Sequence, residues 1–140
     1  MWRTRMGSSK FCRLPDYNFD GLDDMFQRKY FFPFTQTNAG PNSDPDHDGM
    51  NNYAEYVAGT IPTNAASVLK LQSTTTAASG TTVRWQSVTG KKYQVMSRTN
   101  IILGSWQNVG GTYTASNTTA QLLDTTATNG VRFYRLQALP

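Results

Sequence analysis

The segment 44–55 is the feature that most restricts what this chain can fold into. Oxygen-bearing side chains stand at its positions 1, 3, 5, 9 and 12, and a glycine stands at position 6. Calcium takes roughly six to eight oxygen ligands, and a tightly curled loop with this spacing turns its alternate side chains toward one point. A glycine at position 6 permits the sharp turn that a side chain would strain. The segment therefore predicts a calcium-binding loop that leads into a helix.

We name residues 44–55 the second loop, because a related segment precedes it. The spacing assigns five side-chain ligands and one backbone carbonyl, that of Met50; the set is Asp44, Asp46, Asp48, Met50, Asn52 and Glu55. Glu55 is expected to contribute both oxygens, and Asn52 binds directly or through a water molecule. No lysine or arginine occurs between Lys29 and Lys70, so these carboxylates repel one another unless a cation enters. The alternative is an acidic, solvated turn followed by a helix.

The first loop, residues 16–27, repeats the design. The residues that fill its ligand positions are Asp16, Asn18, Asp20, Leu22 (through its carbonyl) and Asp24, with Gly21 at position 6. Position 12 is Gln27, which cannot supply a bidentate carboxylate. We therefore expect a second, weaker calcium site here. The alternative is a loop that keeps the turn and has lost the ion.

A short helix is expected to follow each loop. The apolar face predicted for the first helix is Leu22, Met25, Phe26, Lys29 and Tyr30, and that for the second is Tyr53, Tyr56 and Val57. Gly59 and Pro62 end the second helix. The two helices are expected to pack on each other and on Phe31, Phe32 and Phe34.

The two loops resemble thrombospondin type 3 repeats and dockerin-like calcium repeats of the EF-hand type. The sequence of residues 20–31 and 44–67 is similar to a segment near the C-termini of large secreted bacterial proteins. In that group a small β-domain follows, and it ends in a sequence like that of residues 132–136. The resemblance implies calcium ligation by the residues named above and a C-terminal β-sandwich domain. Gln27 departs from the acidic residue usual at its position.

Composition divides the chain. Up to residue 60 there are six basic and eight acidic side chains, whereas from residue 61 onward there are seven basic side chains and a single acid, Asp124. We predict an N-terminal arm at 1–15, calcium-binding loop–helix repeats at 16–62 and a β-sandwich at 63–140. The basic side chains of the last part are scattered and alternate with apolar residues, which is typical of a solvated sheet face. Nucleic-acid binding is therefore not expected.

Six candidate strands follow residue 62, at 68–73, 81–87, 92–99, 105–109, 118–123 and 131–139. Val83 and Trp85 alternate with polar residues, and turn signals such as Gly110-Gly111 and Asn129-Gly130 separate the runs. The predicted fold class is mainly β with a small α part, in which an antiparallel β-sandwich of fibronectin-like or immunoglobulin-like type follows the paired calcium segment.

The sequence offers no convincing catalytic set. His47 is the single histidine, and position 4 of the second loop places it on the outside. Cys12 is the single cysteine and can form no internal disulfide. No apolar run approaches the ~18 residues that a membrane span needs. We therefore expect a protein that is not an enzyme.

Two functional hypotheses remain. The first is an extracellular or cell-surface module, stabilised by Ca²⁺, that anchors, adheres or forms the subunit of a surface filament; its partners would be other copies of itself or an extracellular protein or polysaccharide. The alternative is a carbohydrate-binding module of a secreted enzyme or adhesin. Trp106 and Tyr113, which lie near glycine-rich loops, would then stack on sugar rings.

Overall fold

The computed structural model describes residues 16–127 and 130–140. This described part of the chain is mainly β, with two short α-helices and two antiparallel sheets of three strands each. The elements are α1 (Asp24–Tyr30), α2 (Asn52–Ala58), β1 (Leu71–Ala77), β2 (Gly80–Gln86), β3 (Lys92–Arg98), β4 (Gln107–Thr114), β5 (Thr119–Asp124) and β6 (Phe133–Leu139). The predicted arm at 1–15, with Cys12, and Asn129 of one predicted turn lie outside the described residues. Within 16–127 and 130–140, no helix has the length and apolar character needed to cross a membrane.

The six strands form a sandwich-like pair of sheets. Their orders are β1-β2-β5 and β4-β3-β6, so β2 and β3 are the central strands. The inward side chains Val83 and Trp85 of β2 pack with Tyr93 and Val95 of β3 in one buried cluster. The indole of Trp85 is fully buried and packs edge-on against the ring of Tyr93, with ring centres 6.3 Å apart. The residues Val83 and Trp85, which alternate with polar residues in the sequence, therefore form the side of β2 that faces the core.

Two strands differ most from their predicted bounds, and the other four agree to within two residues at each end. The first begins three residues later than the predicted 68–73 and continues to Ala77, because its threonines pair with β2 in a tight hairpin. The fourth runs from Gln107 to Thr114 and so passes through Gly110-Gly111, a pair whose sequence predicts a turn. Tyr93 pairs with Tyr113 and Val95 pairs with Val109, so β4 carries extra residues as a bulge, and Gly110 takes a φ of +63° there. The pair of glycines bends a strand instead of ending one.

The buried faces of the helices are not the apolar faces that periodicity predicted. Helix α2 buries Asn52, Glu55 and Ala58, while Tyr53 is exposed. Helix α1 buries Asp24 and Gln27, and its Met25 side chain is 53% exposed. The inward residues of each helix stand three apart, about one turn along the helix, and all of them except Ala58 are at loop positions 9 and 12. The loop geometry therefore decides which face points inward.

The predicted contact between the two helices is confirmed. The rings of Phe26 and Tyr56 pack edge-on with their centres 5.3 Å apart. Phe31 is buried as expected. Phe32, which was expected to join this packing, is 96% exposed, because the chain turns away after α1.

The carboxyl end of α2 is held by the sheet that contains β3. The Lys91 ammonium donates a hydrogen bond to the Tyr56 carbonyl at 2.6 Å, and the Tyr93 hydroxyl donates one to the Ala58 carbonyl at 3.2 Å. The last carbonyls of a helix have no partner within the helix, so these bonds satisfy groups that would otherwise need water. The helix ends at Gly59, with a φ of +81°, as the sequence predicted. The loop–helix segment and the sheet are thus joined at this point.

A buried carboxylate links the two sheets at the far end of the sandwich. Asp124 ends β5 and is 1% exposed, and it accepts hydrogen bonds from Arg132 and from the Tyr134 hydroxyl of β6, both at 3.0 Å. Burial acts to raise the pKa of Asp124, but the bonds from Thr126 and Tyr134 and the charge of Arg132 prevail and hold that pKa below its usual value. The ionised carboxylate is therefore the stable form in the folded protein.

Candidate metal centre

The two loops have the same backbone turn. Position 4 takes a positive φ in both, +55° at Phe19 and +61° at His47, and the glycines at position 6 have φ values of +87° and +93°. A positive φ is uncommon for a residue as large as phenylalanine or histidine. Its occurrence at the same position in both segments indicates that the two loops follow the same backbone path. The side chain of His47 is exposed, as predicted.

The hydrogen bonds inside the loops also correspond. In both, the N–H at position 6 donates to the carboxylate at position 1, at 2.9 Å in the first loop and 3.1 Å in the second. The N–H at position 7 donates to the carboxylate at position 5, at 2.9 and 2.8 Å. The residue at position 8, Asp23 or Asn51, caps the following helix through its side-chain oxygen. The two segments therefore share one local fold, as the spacing of their residues suggested.

The second loop gathers buried oxygens that lack hydrogen-bond donors. Within the described part of the chain, no donor reaches one oxygen each of four side chains or either oxygen of Glu55; the four are Asp44, Asp46, Asp48 and Asn52. Oxygens of the three aspartates all lie within 4.8 Å of one another. Buried polar atoms without partners are costly and uncommon in folded proteins. All five side-chain ligands that the sequence assigned are in this group.

Glu55 is the most strongly perturbed member. Its side chain is 0% exposed, and its pKa is raised from 4.5 to about 7, first by burial and then by the charges of Asp46, Asp48 and Asp44. The Thr60 hydroxyl opposes this shift from nearby, without a hydrogen bond of normal geometry to either Glu55 oxygen. A carboxyl group in this setting gains strongly from any cation that replaces its lost hydration.

Asn52 is oriented by backbone carbonyls from outside the second loop. Its side-chain nitrogen donates to the carbonyls of Asn38 and Gly40 at 2.9 and 2.8 Å. Carbonyls only accept hydrogen bonds, so the amide nitrogen must face them and the Asn52 oxygen remains available as a ligand. These partners lie 12 and 14 residues away along the chain, and no local pattern in the sequence signals the contact.

The first loop fills the corresponding space with its own amide groups. The buried side chain of Gln27 donates from its nitrogen to Asp20 at 2.7 Å and to the Ala39 carbonyl at 2.9 Å. The side-chain nitrogen of Asn18 also donates to Asp20, at 3.0 Å. One oxygen of Asp24 is buried without a partner within the described residues, and Tyr17 donates its N–H to the other. Position 12 thus provides hydrogen-bond donors where the second loop provides a carboxylate.

The donor set of the second loop fits a hard divalent cation. The free side-chain oxygens number six, and the Met50 carbonyl assigned by the spacing would be a seventh, a number within the range of roughly six to eight that calcium takes. All are oxygens, which favours calcium over metals that prefer nitrogen or sulfur. In the first loop, the ligand positions 1, 3, 5 and 9 are present, but the amides of Asn18 and Gln27 must move before Asp20 can bind an ion.

The two aromatic residues considered for sugar stacking are engaged in other contacts. Trp106 is half-buried, and the guanidinium groups of Arg98 and Arg135 lie 4.5 and 5.0 Å from its ring centre. The ring of Tyr113 packs edge-on against the buried Trp85 at 5.3 Å.

No protein-family model matches this chain, and no curated protein and no solved structure is similar to it at the level of significance that we required.

Proposed function

We propose that this protein is a non-catalytic structural or interaction module whose second loop binds a calcium ion, and that the ion stabilises the fold. The observation that carries the proposal is the set of buried, unpartnered oxygens on Asp44, Asp46, Asp48, Asn52 and Glu55. The repulsion among these carboxylates opposes folding unless a divalent ion compensates it.

The ion would act through α2. Asn52 and Glu55 lie on the buried face of this helix, so their ligation fixes the helix against the loop. The far end of the same helix is bonded to Lys91 and Tyr93 of the sheet. Calcium binding would therefore brace the junction between the loop–helix segment and the sandwich. The side chains that surround the ion fill its ligand positions, which suits a structural role.

We propose an extracellular or cell-surface setting for this module. Extracellular calcium modules bind their ion at roughly 10⁻⁴–10⁻³ M, and such sites are loaded only where calcium is abundant. The likeness of the loops to thrombospondin type 3 and dockerin-like repeats, with a fibronectin-like or immunoglobulin-like sandwich after them, belongs to the same proposal. In that setting, the module would serve in anchoring, adhesion or self-assembly.

Carbohydrate binding receives less support from the geometry. A sugar ring that stacks on Trp106 must first displace the guanidinium groups of Arg98 and Arg135. The ring of Tyr113 packs edge-on against the indole of Trp85. If the Tyr113 ring turned outward to stack on a sugar, it would give up this contact and expose the Trp85 side chain.

Two measurements test the proposal: a calorimetric titration with calcium, and thermal unfolding in calcium and in EDTA. We expect one strong site and a clear rise in melting temperature, because an ion at 100 times its dissociation constant adds about 2.7 kcal/mol to the free energy of unfolding. The matched control is Asp16→Asn, which alters the first loop and leaves the second intact. Melting that is indifferent to calcium and EDTA would overturn the proposal.

A further inference from the structure

We propose that Gln27 of the first loop is a positioning residue for the calcium site of the second loop, and that it acts through the backbone that joins the two loops. The proposal rests on the calcium-binding function above, because the quantity that Gln27 controls is the affinity of that site for its ion.

The joining backbone is bonded to both loops. The carbonyls of Asn38 and Gly40 accept hydrogen bonds from the side-chain nitrogen of Asn52, at 2.9 and 2.8 Å. The carbonyl between them, that of Ala39, accepts one from the side-chain nitrogen of Gln27 at 2.9 Å. We call residues 38–40 the joining strip. Its successive carbonyls connect position 12 of the first loop with position 9 of the second.

The amide of Gln27 can hold the joining strip, and a carboxylate could not. The side chain of Gln27 is fully buried, and its nitrogen donates one bond to Asp20 at 2.7 Å and one to the Ala39 carbonyl. An ionised glutamate at the same position has no hydrogen to donate and could make neither bond. The departure of the first loop from the usual acidic residue therefore supplies the donor that reaches the strip.

Burial makes the Ala39 carbonyl depend on this donor. Ala39 is fully buried, and a buried carbonyl that loses its hydrogen bond is unfavourable. The strip must then shift to bring this carbonyl to another donor. Because the two neighbouring carbonyls hold the amide of Asn52, such a shift turns that amide. The Asn52 oxygen, one of the unpartnered oxygens of the ligand set, turns with it.

The backbone that follows the joining strip holds the helix that carries Asn52. The N–H of Asn52 donates to the Ser43 carbonyl at 2.8 Å, and the N–H of Tyr53 donates to the Pro41 carbonyl at 3.0 Å. These N–H groups belong to the first turn of α2, where the helix itself offers no acceptor. The strip and the first turn of α2 are thus one bonded unit, and the position of the strip decides where Asn52 presents its oxygen.

Calorimetric titration of Gln27→Met with calcium tests the proposal. Methionine has nearly the length of glutamine and no donor, so it removes the bond to Ala39 and leaves every ligand of the second loop in place. A side chain that directly orients a ligand typically changes metal affinity about 10- to 100-fold, and Gln27 acts through one further set of bonds, so we expect a loss of about three- to tenfold. Equal calcium affinities of Gln27→Met and the wild type would overturn the proposal.

Val109→Ala is the matched control for a general loss of stability. Val109 belongs to the buried cluster of the sandwich, so its truncation lowers the free energy of unfolding and leaves the joining strip unchanged. At a temperature where this variant is folded, we expect it to bind calcium like the wild type. If it loses affinity to the same extent as Gln27→Met, the effect is a loss of stability rather than of ligand position, and the proposal is wrong.

A double-mutant cycle shows whether Gln27 acts through Asn52. The calcium dependence of the melting temperature reports weak as well as strong binding, so it suits this cycle. Asn52→Ala removes the ligand that the strip orients, and in that background Gln27→Met should cost less than about twofold in affinity. If Gln27→Met costs the same factor with and without Asn52, the two residues act independently and the proposal fails.

Side-chain NMR signals of the wild type give a second measurement that needs no variant. Ligation of the Asn52 oxygen fixes its amide nitrogen and therefore the joining strip, so the side-chain amide signals of Gln27 and Asn52 should shift along one calcium-binding curve. The amide of Gln121, on strand β5, is the internal reference and should not shift. A Gln27 signal that stays unchanged while that of Asn52 shifts would contradict the proposal.

These outcomes separate the role of Gln27 from the function on which it rests. If the wild type binds calcium and Gln27→Met binds it equally tightly, the link from Gln27 to Asn52 is wrong and the metal centre stands. If the wild type binds no calcium in the second loop, the metal centre is wrong, and the bonds made by Gln27 serve packing alone.

Discussion

Glu55→Gln is expected to change stability in opposite directions with and without calcium. In calcium-free buffer the variant should be more stable than the wild type, because it removes a buried carboxylate that three aspartates repel. In saturating calcium the variant should be less stable, because it lacks the two oxygens that complete the ligand set. The first loop shows how a glutamine fits at this position, since Gln27 donates to the position 5 carboxylate at 2.7 Å.

The size of the calcium-free effect follows from the pKa of Glu55. Its rise from 4.5 to about 7 corresponds to about 3 kcal/mol of unfavourable free energy for the ionised group in the folded state, at ~1.36 kcal/mol per pKa unit. The folded state holds this proton more tightly than the unfolded state does. Without calcium, the wild type therefore loses stability as the pH rises from about 4.5 to 7, and Glu55→Gln should lack this slope.

Urea unfolding at pH 8, followed by the fluorescence of the buried Trp85, measures both effects. The calcium-induced gain in unfolding free energy should be near 2.7 kcal/mol for the wild type at 100 times the dissociation constant, and close to zero for the variant at the same calcium concentration. The reasoning fails if Glu55→Gln destabilises the protein equally in EGTA and in calcium, because Glu55 would then be an ordinary structural carboxylate. It also fails if calcium stabilises both proteins by the same amount.

The other predictions concern the first loop, the junction and the far end of the sandwich. Gln27→Glu should raise the calcium stoichiometry in calorimetry from one to two and lower stability in EGTA, because it adds a carboxylate and removes the donors to Asp20; a stoichiometry that stays at one would contradict this. Gly59→Ala should lower the unfolding free energy by about 1–2 kcal/mol, since its φ is +81° and its Cβ would lie 3.0 Å from the Lys91 side chain; urea unfolding checks this, and an unchanged midpoint would refute it. Asp124→Asn should cost about 1–3 kcal/mol above pH 5, because it weakens a buried hydrogen-bond network. The wild-type contribution of Asp124, whose pKa is lowered, is present above the unfolded pKa of about 3.9 and is lost as the pH falls through the folded pKa, so acid titration of unfolding should show the two proteins converge.

The ligand assignments in the second loop could be made from the sequence because they are local. Every assigned side chain lies within the span 44–55, and the turn at Gly49 is set by the φ of that residue. The presence of β-strands could also be predicted from the sequence, since the alternation around Val83 and Trp85 reflects which side chains point toward the core. Both inferences depend on the order of residues within one short segment.

Contacts between distant segments account for the features that differ from the predictions made from the sequence. Gly110-Gly111 reads as a turn, yet pairing with β3 holds it inside β4 as a bulge. Met25 belongs to an apolar stripe, yet the requirement that Asp24 and Gln27 face the loop leaves it on the surface. In both cases a long-range constraint prevailed over a local preference.

The order of residues alone therefore determined which oxygen-bearing side chains the loop gathers and where it turns, because these depend on neighbours along the chain. Tertiary structure alone decided which strands pair, which helix faces are buried and how Asn38 and Gly40 orient Asn52. The physical reason is that strand pairing and side-chain burial depend on which distant segments come into contact, and a pattern within one short segment does not specify those contacts.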